Sequence, residues 1–326
     1  MLVPILLFLL GFALLIKGGD WFVDGATGLA HRFRLPEFLI GATVVSIGTT
    51  LPEVMVSAQA AFGGVSGISY GNAVGSIICN TSLIAALTVA IAPSVVKPRT
   101  LRIPVITFFG AAALSAVFAY TAGRFERWMG ILLLAVFLVY MVYTVLNMKK
   151  EPEAAETSEA SGIGAPSEEA PLWKDLLLLV AGAAAIAIGA RLLVDNGTLI
   201  AQALGVPDSV IGLTMVALGT SLPELITAIT SLIKGHGSLS LGNIIGANIF
   251  NLVLVSGLAI TISPFDLPAE KMLAGMNASL VVDLPVMFLV MGLLCLPPLV
   301  SGKLKRWQGI TLLAVYAAFT AFQFLF

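Results

Sequence analysis

Residues 37–84 read EFLIGATVVSIGTTLPEVMVSAQAAFGGVSGISYGNAVGSIICNTSLI, and residues 208–255 read DSVIGLTMVALGTSLPELITAITSLIKGHGSLSLGNIIGANIFNLVLV. The two stretches align without a gap at a constant offset of 171 residues, with 17 of 48 positions identical. Chance between two apolar segments gives several matches of Leu, Ile or Val. It does not align GTxLPE with GTxLPE, GN with GN, and Asn80 with Asn251. The match extends upstream, where Gly18, Val23, Asp24, Thr27, Ala30 and Pro36 meet Gly189, Val194, Asp195, Thr198, Ala201 and Pro207. It returns downstream, where RWMGILLLAV at 127–136 meets RWQGITLLAV at 306–315.

Composition says which solvent this duplicated chain folds in. Of its 326 residues 58% are hydrophobic and 11% charged, against about a quarter charged in a soluble domain. There is too little polar surface to cover a water-soluble globule, so the lipid bilayer is the expected surrounding. A spanning helix needs about 20 predominantly apolar residues. Ten candidates fit: 2–28, 37–62, 70–92, 101–121, 127–147, 172–202, 208–233, 240–262, 274–297 and 305–325. The first apolar run lacks a basic leader and an A-x-A-like end, and is read as a membrane helix rather than a cleaved signal. Between the fifth and sixth spans, MKKEPEAAETSEASGIGAPSEEA is acidic, small and poor in apolar bulk, which predicts a flexible loop.

Five spans per repeat is an odd number, so the second copy enters the membrane from the opposite side. The expected fold is therefore all-α: a polytopic membrane protein of ten transmembrane helices arranged as two inverted five-helix repeats, an architecture of secondary transporters. The expected division is repeat 1 over 1–147, the loop over 148–171 and repeat 2 over 172–326. Lys and Arg set the orientation. The loops on one side hold Arg124, Arg127 and Lys271, and those on the other hold twelve basic residues. The basic side is expected to be cytoplasmic, with both termini outside the cell membrane and the 148–171 loop inside. A net charge of −1 gives no reason to expect a nucleic-acid partner.

Glu53 and Glu224 lie in the middle of apolar spans, each after Pro in the same hexapeptide. An ionised carboxylate at that depth costs several kcal/mol and needs a partner, and neither span offers Lys or Arg near it. A bound cation fits, or a proton when the site is empty; a protonated Glu in a structural hydrogen bond is the alternative. Pro52 and Pro223 lack an N–H, so the carbonyls of Gly48 and Gly219 lose their helical donors. Backbone oxygens freed at membrane depth are tolerated where they line a cavity. Ser46, Thr49, Thr50 and Glu53 fall at i, i+3, i+4 and i+7, one helical face, and Ala217, Thr220, Ser221 and Glu224 repeat it. Asn72, Ser76 and Asn80 stand at i, i+4 and i+8, with mates Asn243, Ala247 and Asn251. Carboxylates, hydroxyls and carbonyls make an all-oxygen site suited to hard cations such as Ca²⁺ or Na⁺. Any one hydroxyl can instead bond back to its own helix.

Other residues point to structure. Cys79 and Cys295 lie in apolar segments and read as buried small hydrophobes. Arg191 and Asp195 are spaced to pair on one helix. Trp128 and Trp307 begin spans, as interfacial anchors do. His31 and His236 fall in expected loops and receive no role. The glycines of GNxxG suit close helix packing.

GTTLPE (48–53), GTSLPE (219–224), GNAVGSIICN (71–80) and GNIIGANIFN (242–251) resemble the two alpha-repeats of the calcium/cation antiporter superfamily, the sodium/calcium exchangers of prokaryotic type. The resemblance covers nearly the whole chain. It implies a calcium site between Glu53 and Glu224, with the backbone of Thr49 and Thr220 also touching Ca²⁺. It implies sodium sites using the backbone of Ser46 and Ala217 together with Thr49, Ser76, Thr220, Asn80 and the two Glu. The best-known sodium-coupled members carry Asp where this chain has Asn251 and Ser where it has Ala247. Two carboxylates balance one Ca²⁺, two Na⁺ or two protons; a third Na⁺ would leave excess positive charge at low dielectric. The implied activity is secondary active exchange of Ca²⁺ for Na⁺ by alternating access, exporting calcium, by a chain functional as a monomer. Coupling to H⁺, or a requirement for K⁺, is the alternative, and a passive cation channel is a further class. No GxxxxGK(S/T) phosphate loop is present, which argues against a pump; the resemblance implies a transporter and not an enzyme, with no cofactor beyond the transported ions.

Overall fold

The computed structural model describes residues 2–64, 66–148, 171–205, 219–269, 272–273 and 275–325. The predicted loop therefore falls almost wholly outside the described residues, as do the first half of the seventh span and Ala217. Ten helical rods carry the described chain: α1 Leu2–Phe33, α2 Glu37–Phe62, α3 Gly67–Ile91, α4 Pro98–Ala122, α5 Arg127–Asn147, α6 Leu172–Ala203, α7 Leu222–Ile233, α8 Gly237–Ile262, α9 Ser279–Ser301 and α10 Arg306–Leu325. All but α7 are long and apolar enough to cross a membrane. Large apolar side chains such as Leu6, Leu9, Leu138, Val139 and Val300 are exposed, as a bilayer solvent requires.

Two short pairings join the repeats or shape the turns. β1 (Arg124–Phe125) pairs antiparallel with β2 (Phe265–Asp266), linking the α4–α5 turn of repeat 1 to the chain beyond α8. β3 (Met272–Leu273) and β4 (Met276–Asn277) form a hairpin. The hairpin occupies residues expected to open the ninth span, which is why α9 begins at Ser279 rather than 274. His31 lies in the last turn of α1, not in a loop, because that helix runs on to Phe33.

Burial divides the rods. α3 and α8 are the most enclosed, with 72% and 78% of their apolar windows buried, against 22% for α1 and 28% for α6. α2, α3, α7 and α8 thus form a core, and α1 with α6 lie across it. These two long helices cross antiparallel through a seam of glycines. A Cβ on Gly11 would sit 2.8 Å from the Gly189 carbonyl oxygen, and a Cβ on Gly189 would sit 2.8 Å from that of Gly11. Gly18 and Gly182 oppose each other in the same way. Gly11 is the repeat mate of Gly182, and Gly18 of Gly189, so the seam packs the two repeats through the same surface. Small residues let membrane helices approach until their backbones touch. Arg32 adds an ion pair to Asp175 at 3.1 Å near one end of the seam.

Four of the helices are locally underwound. π-turns occur at Gly41–Val45 in α2, Asn80–Ala85 in α3, Asn251–Val255 in α8 and Ser279–Asp283 in α9. Those of α3 and α8 begin on the repeat mates Asn80 and Asn251. A π-turn widens the ring of backbone bonds and often marks a functional site.

Candidate ion-binding site

Each core hairpin delivers one GTxLPE segment and one asparagine-rich segment to the centre. In α2 the chain remains helical through Pro52, which sits inside Ser46–Phe62. In repeat 2 the turn at Thr220 and Ser221 ends before α7 starts at Leu222, with Pro223 at its beginning and Glu224 in its first turn. Glu224 therefore lies at a helix N-terminus, whose unbonded N–H groups favour negative charge. Its mate Glu53 has no such terminus beside it.

Both glutamates are 0% exposed, and all four carboxylate oxygens lack a hydrogen-bond partner. The two carboxylates are close enough for their charges to interact. Leaving such groups unpaired away from water is costly. The Thr50 and Ser221 hydroxyls and the side-chain amides of Asn80 and Asn251 are likewise buried without partners.

Cross-links between the repeats hold this shell in place. Thr49 donates to the side-chain oxygen of Asn243 at 3.1 Å, and Thr220 donates to that of Asn72 at 3.4 Å. The Asn72 amide in turn donates to the Glu53 carbonyl at 3.1 Å and to the Ser57 hydroxyl at 2.9 Å. Ser46 lies 2.8 Å from the Gly41 carbonyl and 2.9 Å from that of Asn243. Its hydroxyl thus serves the π-turn of α2 and the contact with α8. Gly242 and Gly246 permit that contact: a Cβ on Gly246 would stand 2.6 Å from the Ala42 Cα. Ser76 is buried on α3 one turn before Asn80. Cys79, expected to be bulk apolar packing, is buried and free, but lies close to Ser221 and the glutamates.

α1 and α6 cover the two GTxLPE segments. A Cβ on Gly48 would meet the Phe22 ring at 2.9 Å, and one on Gly219 would meet Val194 at 2.5 Å. A narrow cleft lined by Phe22, Gly48, Thr49, Pro52, Ala183, Ile186, Ala187 and Pro223 runs between the covering pair and both prolines. Lys234, just past α7, ties the core to α1 by reaching Asp24 at 2.8 Å and Asp20 at 3.4 Å. Arg191 and Asp195 pair along α6 at 3.5 Å as expected. His236 lies in a loop as expected, but it has a partner there: its Nδ1 lies 2.8 Å from a Glu37 carboxylate oxygen.

No cluster of three or more His, Cys, Asp or Glu side chains exists among the described residues. The donors at the centre are two carboxylates with hydroxyl and amide groups, a set suited to hard cations and poor for soft metals. The family described as sodium/calcium exchanger protein matches the chain over residues 3–146 and 174–325. The chain belongs to that family. The two matched stretches are the two repeats, and the gap between them is the acidic segment. Among similar proteins, an uncharacterized membrane protein of Methanocaldococcus jannaschii is 38% identical over 95% of this chain and 94% of its own length. The sodium/calcium exchanger MaX1 of Methanosarcina acetivorans is 34% identical over 97% of each chain. The sodium-calcium exchanger NCX_Mj, in crystals soaked with 2.5 mM Na⁺ and 10 mM Sr²⁺, superposes with a TM-score of 0.83 at 35% identity over 98% of both chains. As a member of this exchanger family the chain is a multi-pass membrane transporter.

Proposed function

We propose that this chain exchanges Ca²⁺ for Na⁺ across the cell membrane, using Glu53 and Glu224 as the charged ligands of a single shared site. One observation carries the reading. Two repeat-mate carboxylates lie fully buried at the centre of the bundle with all four oxygens unpartnered. One Ca²⁺ or two Na⁺ neutralises that pair, so the ions compete and only one kind occupies the site in a crossing. Thr49, Thr50, Thr220, Ser221, Ser76, Asn80 and Asn251, with backbone oxygens at Ser46 and Ala217, supply the neutral part of the shell. The sodium assignment is supported by relatives named as sodium/calcium exchangers.

The site is exposed to each side in turn by movement of α1 and α6 over the core. The glycine seam and the Arg32–Asp175 pair make these helices one body, and the cleft beside Pro52 and Pro223 is the surface they slide across. The excess of basic residues on one set of loops supports an arrangement with both termini outside and residues 148–171 inside. With sodium high outside, the exchange exports calcium.

A proton-coupled reading has one observation in its favour: Asn251 supplies no third charge beside the two glutamates. Calcium uptake into proteoliposomes decides between them. Under an imposed outward Na⁺ gradient at uniform pH, uptake is expected to exceed uptake under a pH gradient without Na⁺. Uptake driven only by the pH gradient would replace sodium with protons; uptake with neither would point to a channel. Repeating the sodium arm with and without K⁺ tests a potassium requirement.

A further inference from the structure

Several buried hydroxyls in this bundle bond back to their own helix: Thr27 to Val23, Thr43 to Leu39 and Thr81 to Ile77, at 2.7–2.8 Å. On α7 they do not. Thr227 and Ser231 are 0% exposed, and neither hydroxyl has a partner. With Glu224 they stand at i, i+3 and i+7, one face of the helix. Ser240, near the start of α8, is also buried and unpartnered, and so is the side-chain NH₂ of Asn243 one turn further. α7 packs here on α8 and on the second half of α3. Buried polar groups are normally satisfied by protein, water or an ion, so this row leading away from Glu224 calls for an occupant.

Repeat 1 lacks the row. The mates of Thr227 and Ser231 are Val56 and Ala60. The mate of Ser240 is Ser69, which is satisfied by the Ser57 carbonyl at 2.9 Å. The duplication has thus kept the charged site in both halves and placed a file of neutral oxygens on one side only. Ser231 lies about 10 Å along the helix from Glu224, at 1.5 Å per residue, and three residues before Lys234, which clamps α7 to α1.

We propose that Thr227, Ser231 and Ser240 form a staging site for a partly hydrated cation, between Glu224 and the end of α7 marked by Lys234. Uncharged hydroxyls replace part of a hydration shell without holding the ion, so the cation pauses there and passes on to the carboxylates. The site acts on the rate of exchange from that end and leaves equilibrium binding at the glutamates untouched. It rests on the ion-exchange reading of Glu53 and Glu224.

Replacing the pair with the residues of repeat 1, Thr227→Val with Ser231→Ala, tests it. Equilibrium ⁴⁵Ca²⁺ binding to the purified double variant is expected to match wild type, while ⁴⁵Ca²⁺ exchange in proteoliposomes slows about tenfold, the loss expected from two missing hydroxyl contacts in the rate-limiting passage. In a second variant, Ser231→Cys made in a Cys79→Ala, Cys295→Ala background, a small cationic thiol reagent is expected to react from the Lys234 end during turnover; the parent lacking both native free cysteines is the control. Exchange at the wild-type rate in the double variant, or an unreactive Ser231→Cys, overturns the staging site alone. Wild-type protein that neither binds nor exchanges calcium overturns the reading of the glutamates beneath it.

Discussion

The Thr49 hydroxyl donates to the side-chain oxygen of Asn243 at 3.1 Å, and the repeat mates of these two residues, Thr220 and Asn72, make the same contact at 3.4 Å. Each hydroxyl that begins a GTxLPE ligand face is thus anchored on the opposite repeat. The site is assembled by exchange between halves rather than built twice. Asn243→Ala leaves Thr49 without its acceptor. A buried hydrogen bond lost in this way costs about 1–3 kcal/mol, which corresponds to a loss of roughly five- to 150-fold in apparent calcium affinity if it falls on the site. The concentration dependence of ⁴⁵Ca²⁺ exchange measures it. An unchanged half-saturating calcium would separate Asn243 from the ion shell.

Lys234 joins the core to α1 through Asp24 at 2.8 Å and Asp20 at 3.4 Å, and the corresponding position in repeat 1 is Gly63. Movement of α1 across α7 must break this contact, and no mirror-image clamp replaces it. Lys234→Gln is expected to shift the balance of the two access states by about threefold, the size of a partly exposed ion pair. The readout is the ratio of apparent calcium affinities measured from the two faces of oriented vesicles. An unaltered ratio would mean that the clamp does not distinguish the states.

Much of this was legible in the sequence because polar residues stand out against lipid. Glu53, Glu224 and their prolines could be found by repeat alignment and by the cost of burying charge; the close packing expected of both GNxxG motifs holds at Gly242 and Gly246 but not at Gly71 and Gly75, where a Cβ would meet nothing within 4 Å. What could not be read was which helix each polar side chain reaches. Spacing puts Asn72 on one helix face with Asn80, and Asn243 with Asn251, but it does not say that Asn72 and Asn243 bond hydroxyls of the other repeat. The Lys234 clamp and the His236–Glu37 contact depend on how the α7–α8 turn folds back, with Gly235 at φ +83°. The glycine seam of α1 and α6 was hidden for a similar reason. Glycines seven apart are common in membrane helices, and only the antiparallel crossing turns Gly11 and Gly18 toward Gly189 and Gly182. The start of the ninth span was misplaced because a short hairpin of Met, Leu and Asn is nearly as apolar as a helix.

Asn251 begins the π-turn of α8, is fully buried, and has both side-chain polar atoms unpartnered. An amide offers an oxygen to a cation but no charge. Asn251→Asp adds a third carboxylate whose titration couples to the two glutamates. The variant is expected to show a higher Na⁺ Hill coefficient and a steeper pH dependence of calcium flux. If both stay at their wild-type values, this position does not face the ion.

If one pair of carboxylates carries calcium, removing one charge at a time must stop exchange. Glu53→Gln and Glu224→Gln keep the shape and polar atoms of the site, so each variant is expected to fold and to elute as wild type does. ⁴⁵Ca²⁺ uptake into proteoliposomes, driven by an outward Na⁺ gradient, is the measurement. Background uptake in each variant beside robust uptake in wild type is the predicted result; a wild-type rate in either variant would contradict the account.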